Sequence, residues 1–104
     1  MTPLARYSLP VTEPQVGAPQ TGASPQGVAV AAEGSYYVAD SERHQIVHLA
    51  ADGELLTTWG GYGAAPGQFY APSDVAVDAY GDVYVADTWN HRVQKFTADG
   101  EFVL

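Results

Sequence analysis

The sequence predicts an all-β repeat protein, and two observations carry that reading. The chain matches itself without a gap at a constant spacing of 47 residues, from Val28 to Val75: Tyr37 falls on Tyr84, Asp40 on Asp87, His44 on His91 and Gly53 on Gly100. Each copy also contains several short apolar runs separated by glycine-containing turns, a pattern of strands rather than helices. A period of about 40 to 50 residues made of short strands is that of β-propeller blades, which cannot bury their own faces and stack on neighbours. The expected architecture is therefore two blades of four antiparallel strands, an incomplete ring.

The elements follow in order. Residues 1–24 are rich in Pro, Gly, Gln and Thr, a composition that favours turns and extended backbone over a packed core. They read as a linker or N-terminal arm, with an edge strand available at Arg6–Leu9 of the kind a propeller borrows to close its last blade. The first blade, 25–60, opens with Val28–Val30 as its innermost strand, turns at Glu33-Gly34 and continues in Tyr36–Ala39. Both runs are nearly all apolar, as expected of strands covered on both faces. Gln45–Leu49 mixes in polar residues and belongs farther out. Asp52-Gly53 predicts a tight hairpin with positive φ at both turn positions, followed by the outer strand Glu54–Trp59. The glycines and proline of 61–71 suit a connector from the outer edge of one blade to the axis of the next. The second blade, 72–104, repeats the pattern with Asp74–Val77, Asp82–Ala86, His91–Phe96 and Glu101–Leu104. Its last strand is truncated, which favours a piece of a longer ring.

Composition narrows the function. A 46% hydrophobic content over 104 residues suffices for one compact domain. With 4 Lys and Arg against 12 Asp and Glu, the net charge of −8 opposes phosphate backbones and anionic membrane surfaces, so neither nucleic acid nor membrane contact is expected. The absence of cysteine removes disulfides, thiolate metal sites and thiol nucleophiles. The sequence shows neither a signal-peptide core nor an apolar window of about 18 residues, and it leaves the compartment open.

In the second copy Gly67-Gln68-Phe69, Pro72, Val75-Ala76-Val77-Asp78, Gly81, Val83-Tyr84-Val85-Ala86-Asp87-Thr88 and Asn90-His91-Arg92-Val93-Gln94-Lys95-Phe96 together resemble an NHL repeat. The first copy keeps Val38-Ala39-Asp40 and His44 but carries Arg43 and Gln45 where the family has Asn and Arg. The resemblance implies a closed ring, usually of six blades, whose faces bind proteins, peptides, RNA or small molecules. Related propellers also include lyases and lactonases with metal or catalytic groups at the central channel.

Individual residues fit a binding role better than chemistry. Asp40, His44, Asp87, Asn90, His91 and Arg92 read as a structural turn motif, because short Asp and Asn side chains hold local backbone groups. No catalytic residue, metal ligand set or cofactor is expected, since no nucleophile elbow, phosphate loop or calcium loop is present. Ser73 and Asp74, at the start of an innermost strand, and Trp89, at an exposed turn position, are the candidate ligand contacts. Tyr36, Tyr37, Tyr80 and Tyr84 join them as candidate contact surface. The expected function is a non-enzymatic scaffold for a protein, peptide or small-molecule ligand. The alternative is part of a metal-assisted, lyase- or lactonase-like propeller. In either case further blades in the same chain, or self-association, must close the ring.

Overall fold

A computed structural model of the chain describes residues 25–104. The edge strand expected at Arg6–Leu9 lies outside the described residues. Among those described, β1 (Pro25–Val30), β2 (Tyr36–Asp40), β3 (Gln45–Leu49) and β4 (Leu55–Gly60) form one antiparallel sheet in chain order. A second sheet contains β5 (Asp74–Val77), β6 (Val83–Asp87) and β7 (Arg92–Phe96), again in chain order. The 47-residue repeat reappears in the pairing, with Val38↔Val47 in the first sheet and Val85↔Gln94 in the second. The expected strand at Glu101–Leu104 does not form a ladder. Phe102 makes an isolated bridge to Phe96, and Lys95 exchanges backbone hydrogen bonds with Val103 and Leu104 at 2.7 Å. These few bonds tack the segment to β7 without building a fourth strand.

One turn design recurs four times. In 31–35, 50–54, 78–82 and 97–101 the first residue's N–H donates to the fifth residue's carbonyl, and the glycine's N–H donates back to the first carbonyl. Gly34, Gly53, Gly81 and Gly100 have φ between 89° and 100°. This corrects the expectation at Asp52-Gly53: only the glycine is left-handed. The loop is the three-residue hairpin that joins a type I turn to a left-handed glycine. Asp52 instead accepts the Glu54 N–H at 2.9 Å, a local bond that stabilises the turn from the side chain.

Burial differs from the expected inside-to-outside gradient. β2 is buried at every position, whereas β1 is exposed or half-buried throughout, and β3 is largely buried. The middle strands of the sheet therefore carry the core. One face of the first blade packs on the second through Tyr37, Ala39 and Ile46 against Val75, Val83, Val85 and Phe96, with Phe69 between them. Burying such side chains contributes about 1.5 to 3 kcal/mol each. The inner strands approach closely at Gly27, where an added Cβ would stand 2.8 Å from Asp74 Cα. At the outer edge the Trp59 ring occupies the space beside Gly100, and Tyr37 Oη donates to Ala98 O at 3.2 Å.

The second blade leaves the corresponding face open. Ala76, Tyr84, Ala86 and Val93 line a shallow apolar depression. They are the 47-residue counterparts of Ala29, Tyr37, Ala39 and Ile46, the residues that seal the junction between the blades.

Candidate functional site

The two antiparallel sheets set two ends. One carries the four hairpin turns; the other carries the β2–β3 turn, the β6–β7 turn and the β4–β5 connector. The hairpin end holds seven of the twelve Asp and Glu residues, among them Glu33, Asp52, Asp78 and Asp99. The connector stretch 61–73 contains no charged residue. Most of the acids thus lie at the hairpin end, while the uncharged connector is flanked by Glu42, Arg43 and Asp74 at the other.

The connector is held by one buried carboxylate. Asp87, fully buried at the end of β6, accepts three hydrogen bonds on Oδ2: from Arg92 Nε at 2.8 Å, Asn90 Nδ2 at 3.0 Å and Gln94 Nε2 at 3.1 Å. Its Oδ1 accepts the Tyr70 N–H at 2.8 Å. The same donors reach onward to connector carbonyls, Asn90 to Gly63 at 2.8 Å and Gln94 to Gln68 at 2.7 Å. Arg92 spreads its remaining nitrogens over Ala64, Ala65 and Gln68 at 2.8 to 3.0 Å. A charge removed from water is tolerated only when paired and fully hydrogen-bonded, and this one is.

His44 and His91 close the two β2–β3-type turns with φ of 56° each, an uncommon left-handed conformation for a side chain of this size. His44 Nδ1 accepts the Ala71 N–H at 2.9 Å, and Gly61 N–H donates to His44 O at 2.7 Å. His44 therefore ties the first blade's turn to the connector, while His91 is exposed. In the first blade Asp40 is also buried, and its Oδ1 accepts the Arg43 N–H at 3.2 Å.

On this held backbone lies a row of rings. Tyr62 and Tyr70 meet edge to face at 5.0 Å, His44 contacts both at 5.0 and 5.9 Å, and Trp89 stacks on Tyr70 at 5.5 Å and 26°. Tyr62 and Trp89 remain 64% and 63% exposed, so these rings are displayed rather than packed away. Beside Trp89 the hydroxyls of Ser73 and Thr88 bond to each other.

Of the residues singled out from sequence, Ser73, Asp74 and Trp89 all lie at the connector end. Asp74 is exposed and uses Oδ1 to accept the Val75 N–H at 2.8 Å. Tyr36 and Tyr37 are corrected: both are buried in the sheet, because alternation in β2 turns one to each packed face. Tyr80 is 92% exposed but belongs to a hairpin turn at the opposite end. Tyr84 is half-buried on the open blade face, its Oη donating to Asp78 Oδ2 at 2.9 Å with Lys95 5.5 Å over its ring. Sequence reasoning passed over Tyr62 and Tyr70, although two tyrosines in a glycine-rich connector were a visible signal.

The third histidine sits at the hairpin end. His48 stacks on Tyr37 at 3.9 Å and 8°, and its Nε2 lies 2.9 Å from Ser35 Oγ, which donates to Glu33. Burial pushes its pKa below the ordinary histidine value, against the opposing pull of Glu33 and Asp99. Among the described residues no three His, Asp or Glu side chains converge into a group that would hold a metal ion.

Two stacked antiparallel sheets, related by a sequence repeat and joined from outer to inner strand, define propeller blades. The NHL repeat profile matches residues 23–49 and 69–96, more than half of the chain. The chain belongs to the NHL repeat family. No curated protein matches it. Among solved structures it is similar to a streptogramin B lyase, with a TM-score of 0.63 and 14% identity over 80% of this chain and 26% of that one. It is also similar to selenomethionine-substituted virginiamycin B lyase from Staphylococcus aureus, with a TM-score of 0.60 and 17% identity over the same shares. At such identity the likeness shows the fold, and the chain spans about a quarter of either structure.

Proposed function

We propose that these blades belong to a non-enzymatic binding scaffold whose connector end receives a protein, peptide or small-molecule ligand. The observation that carries the reading is the exposed row of Tyr62, Tyr70 and Trp89 on a connector immobilised by Asp87. Rigid aromatic side chains offer large contact area at small entropic cost. The net charge of −8 speaks against a nucleic-acid ligand.

The open face of the second blade takes a further blade, supplied by the same polypeptide or by a second copy. Its residues repeat those that seal the existing junction, and an apolar patch of this kind favours association. The solution mass, by size exclusion with light scattering, separates the two sources. A discrete species at three times the monomer mass supports a self-assembled ring, while a monomer or polydisperse material supports completion by further blades of one chain.

A second reading is favoured by the likeness to two lyase structures: the blades contribute to a metal-assisted active site completed elsewhere in the ring. Metal analysis of the polypeptide that carries these blades, with and without a chelator, decides between the two. Catalytic turnover lost on chelation would sink the scaffold reading; ligand binding indifferent to chelator supports it.

A further inference from the structure

Resting on the scaffold reading, we infer that the ring row at the connector end is a binding site for an uncharged carbohydrate chain, with one pyranose ring over Trp89 and a neighbouring sugar against Tyr62. Three features of the surface select this ligand class.

The first is the spacing of the rings. Centroid separations of 5.0 to 5.9 Å, edge to face or stacked, are those of rings already in mutual contact. They leave no slot for a proline ring or a methylated ammonium group to enter between two faces. A ligand has to lie over the outside of the row, so it needs a flat apolar face of its own. The C–H face of a pyranose meets that need, its weakly positive hydrogens settling on the negative face of an aromatic ring.

The second is the polar fringe. Ser73 and Thr88, which share a hydrogen bond beside Trp89, each combine one donor with two acceptor lone pairs. Two hydroxyls beside an exposed ring match the edge of a sugar, where every hydroxyl both donates and accepts.

The third is charge. The connector stretch 61–73 carries no charged side chain, and most of the molecule's acids sit in the hairpin turns at the far end. A neutral ligand therefore matches the connector itself, whose flanks carry the exposed Glu42, Arg43 and Asp74, whereas an anionic sugar or nucleotide would meet the net charge of −8. The Asp87 network holds the connector before the ligand arrives, so little ordering remains to oppose binding.

The test is a titration of the full chain with neutral oligosaccharides (cellohexaose, maltohexaose and chitohexaose), followed by tryptophan emission and by calorimetry. Trp59 lies at the blade junction, so a Trp59→Phe background isolates the Trp89 signal. At least one oligosaccharide is expected to shift Trp89 emission saturably. Trp89→Ala and Tyr62→Ala, at exposed positions with the far-ultraviolet spectrum as a check on folding, are each expected to weaken binding by about tenfold or more, and Trp89→Phe to restore part of it. Ser73→Ala is expected to weaken it severalfold. Absence of a saturable response to all three sugars overturns the inference, as does sugar binding that survives Trp89→Ala. Binding of a proline-rich peptide or of adenosine at the same rings, in place of sugar, overturns the carbohydrate assignment and leaves the scaffold reading standing. Chelator-sensitive turnover by the complete polypeptide is the separate result that removes the scaffold reading.

Discussion

Replacing Asp87 with alanine is expected to loosen the connector and destabilise the blade pair by about 3 kcal/mol. The magnitude follows from the contacts. Removing one member of a buried ion pair costs about 3 to 5 kcal/mol, because the other charge is left without its partner. The lower end applies here. The Arg92 side chain is 29% exposed and keeps three connector carbonyls, while Asn90 and Gln94 keep Gly63 and Gln68. The Tyr70 N–H loses the acceptor it has in this network. In a domain of this size that loss lowers the Tm by roughly 12 to 24 °C. Asp87→Asn should cost less, about 2 kcal/mol: its amide oxygen can serve the three donors on Oδ2 only by turning its NH2 towards the Tyr70 N–H. The assay is urea unfolding monitored by tryptophan emission, together with hydrogen exchange at the Gly67 and Tyr70 amides, which donate to Gln94 Oε1 and Asp87 Oδ1. A double-mutant cycle with Arg92→Ala isolates the pair term. If both variants unfold within about 0.5 kcal/mol of the parent and the two amides exchange at unchanged rates, the carboxylate does not hold the connector and the reasoning fails.

Three further outcomes are expected. Gly27→Val places side-chain atoms against Asp74, whose Oδ1 and Cα lie 2.5 and 2.8 Å from an added Cβ, and should cost about 1 to 3 kcal/mol in thermal unfolding; an unchanged Tm would mean that β1 and β5 do not meet so closely. Gly100→Ala combines a positive φ of 90° with a Cβ only 2.6 Å from the Trp59 ring, so it should lower stability and shift Trp59 emission, whereas Gly81→Ala, with open space around it, should show the backbone penalty alone. Acid should weaken the fold through His48. Its pKa in the fold lies below the ordinary 6.5, so its contribution is complete above that value and is lost as pH falls from there to the folded pKa, the unfolded chain taking up the proton first. Stability measured from pH 8 to pH 5 should fall less steeply in His48→Gln, and an identical slope in parent and variant would refute the assignment.

The two blades, the order of the strands that form and the positions of their turns were legible in the sequence because each depends on local pattern. Apolar runs such as Val83–Asp87 and glycines such as Gly53 report backbone conformation at short range. The 47-residue repeat then supplies the stacking, since repeated units pack one face of each on the opposite face of the next. The paired carboxylates Asp40 and Asp87 were likewise visible, as were Asn90 and Arg92, in their spacing along the β6–β7 turn. The departure at the Asp52-Gly53 turn is local; where the reading of burial failed, the cause was a contact between segments distant in sequence. Burial of Tyr36 and Tyr37 depends on what covers each face of β2, and no window around residue 36 contains that information. Gln94 entered only as a member of the repeat motif in the third strand, and its burial comes from Gly67, Gln68 and Asp87 converging on its amide.

The sequence by itself determined a repeat of short strands, the residues of its turns and an acidic, cysteine-free chain. Only the tertiary structure decided which aromatic rings are core and which are surface. Tyr37 stacks on His48 inside the blade junction, while Tyr62, Tyr70 and Trp89 form the row at the connector end. The physical reason is that exposure belongs to the assembled surface: a ring is buried or displayed by neighbours that the chain brings to it from tens of residues away.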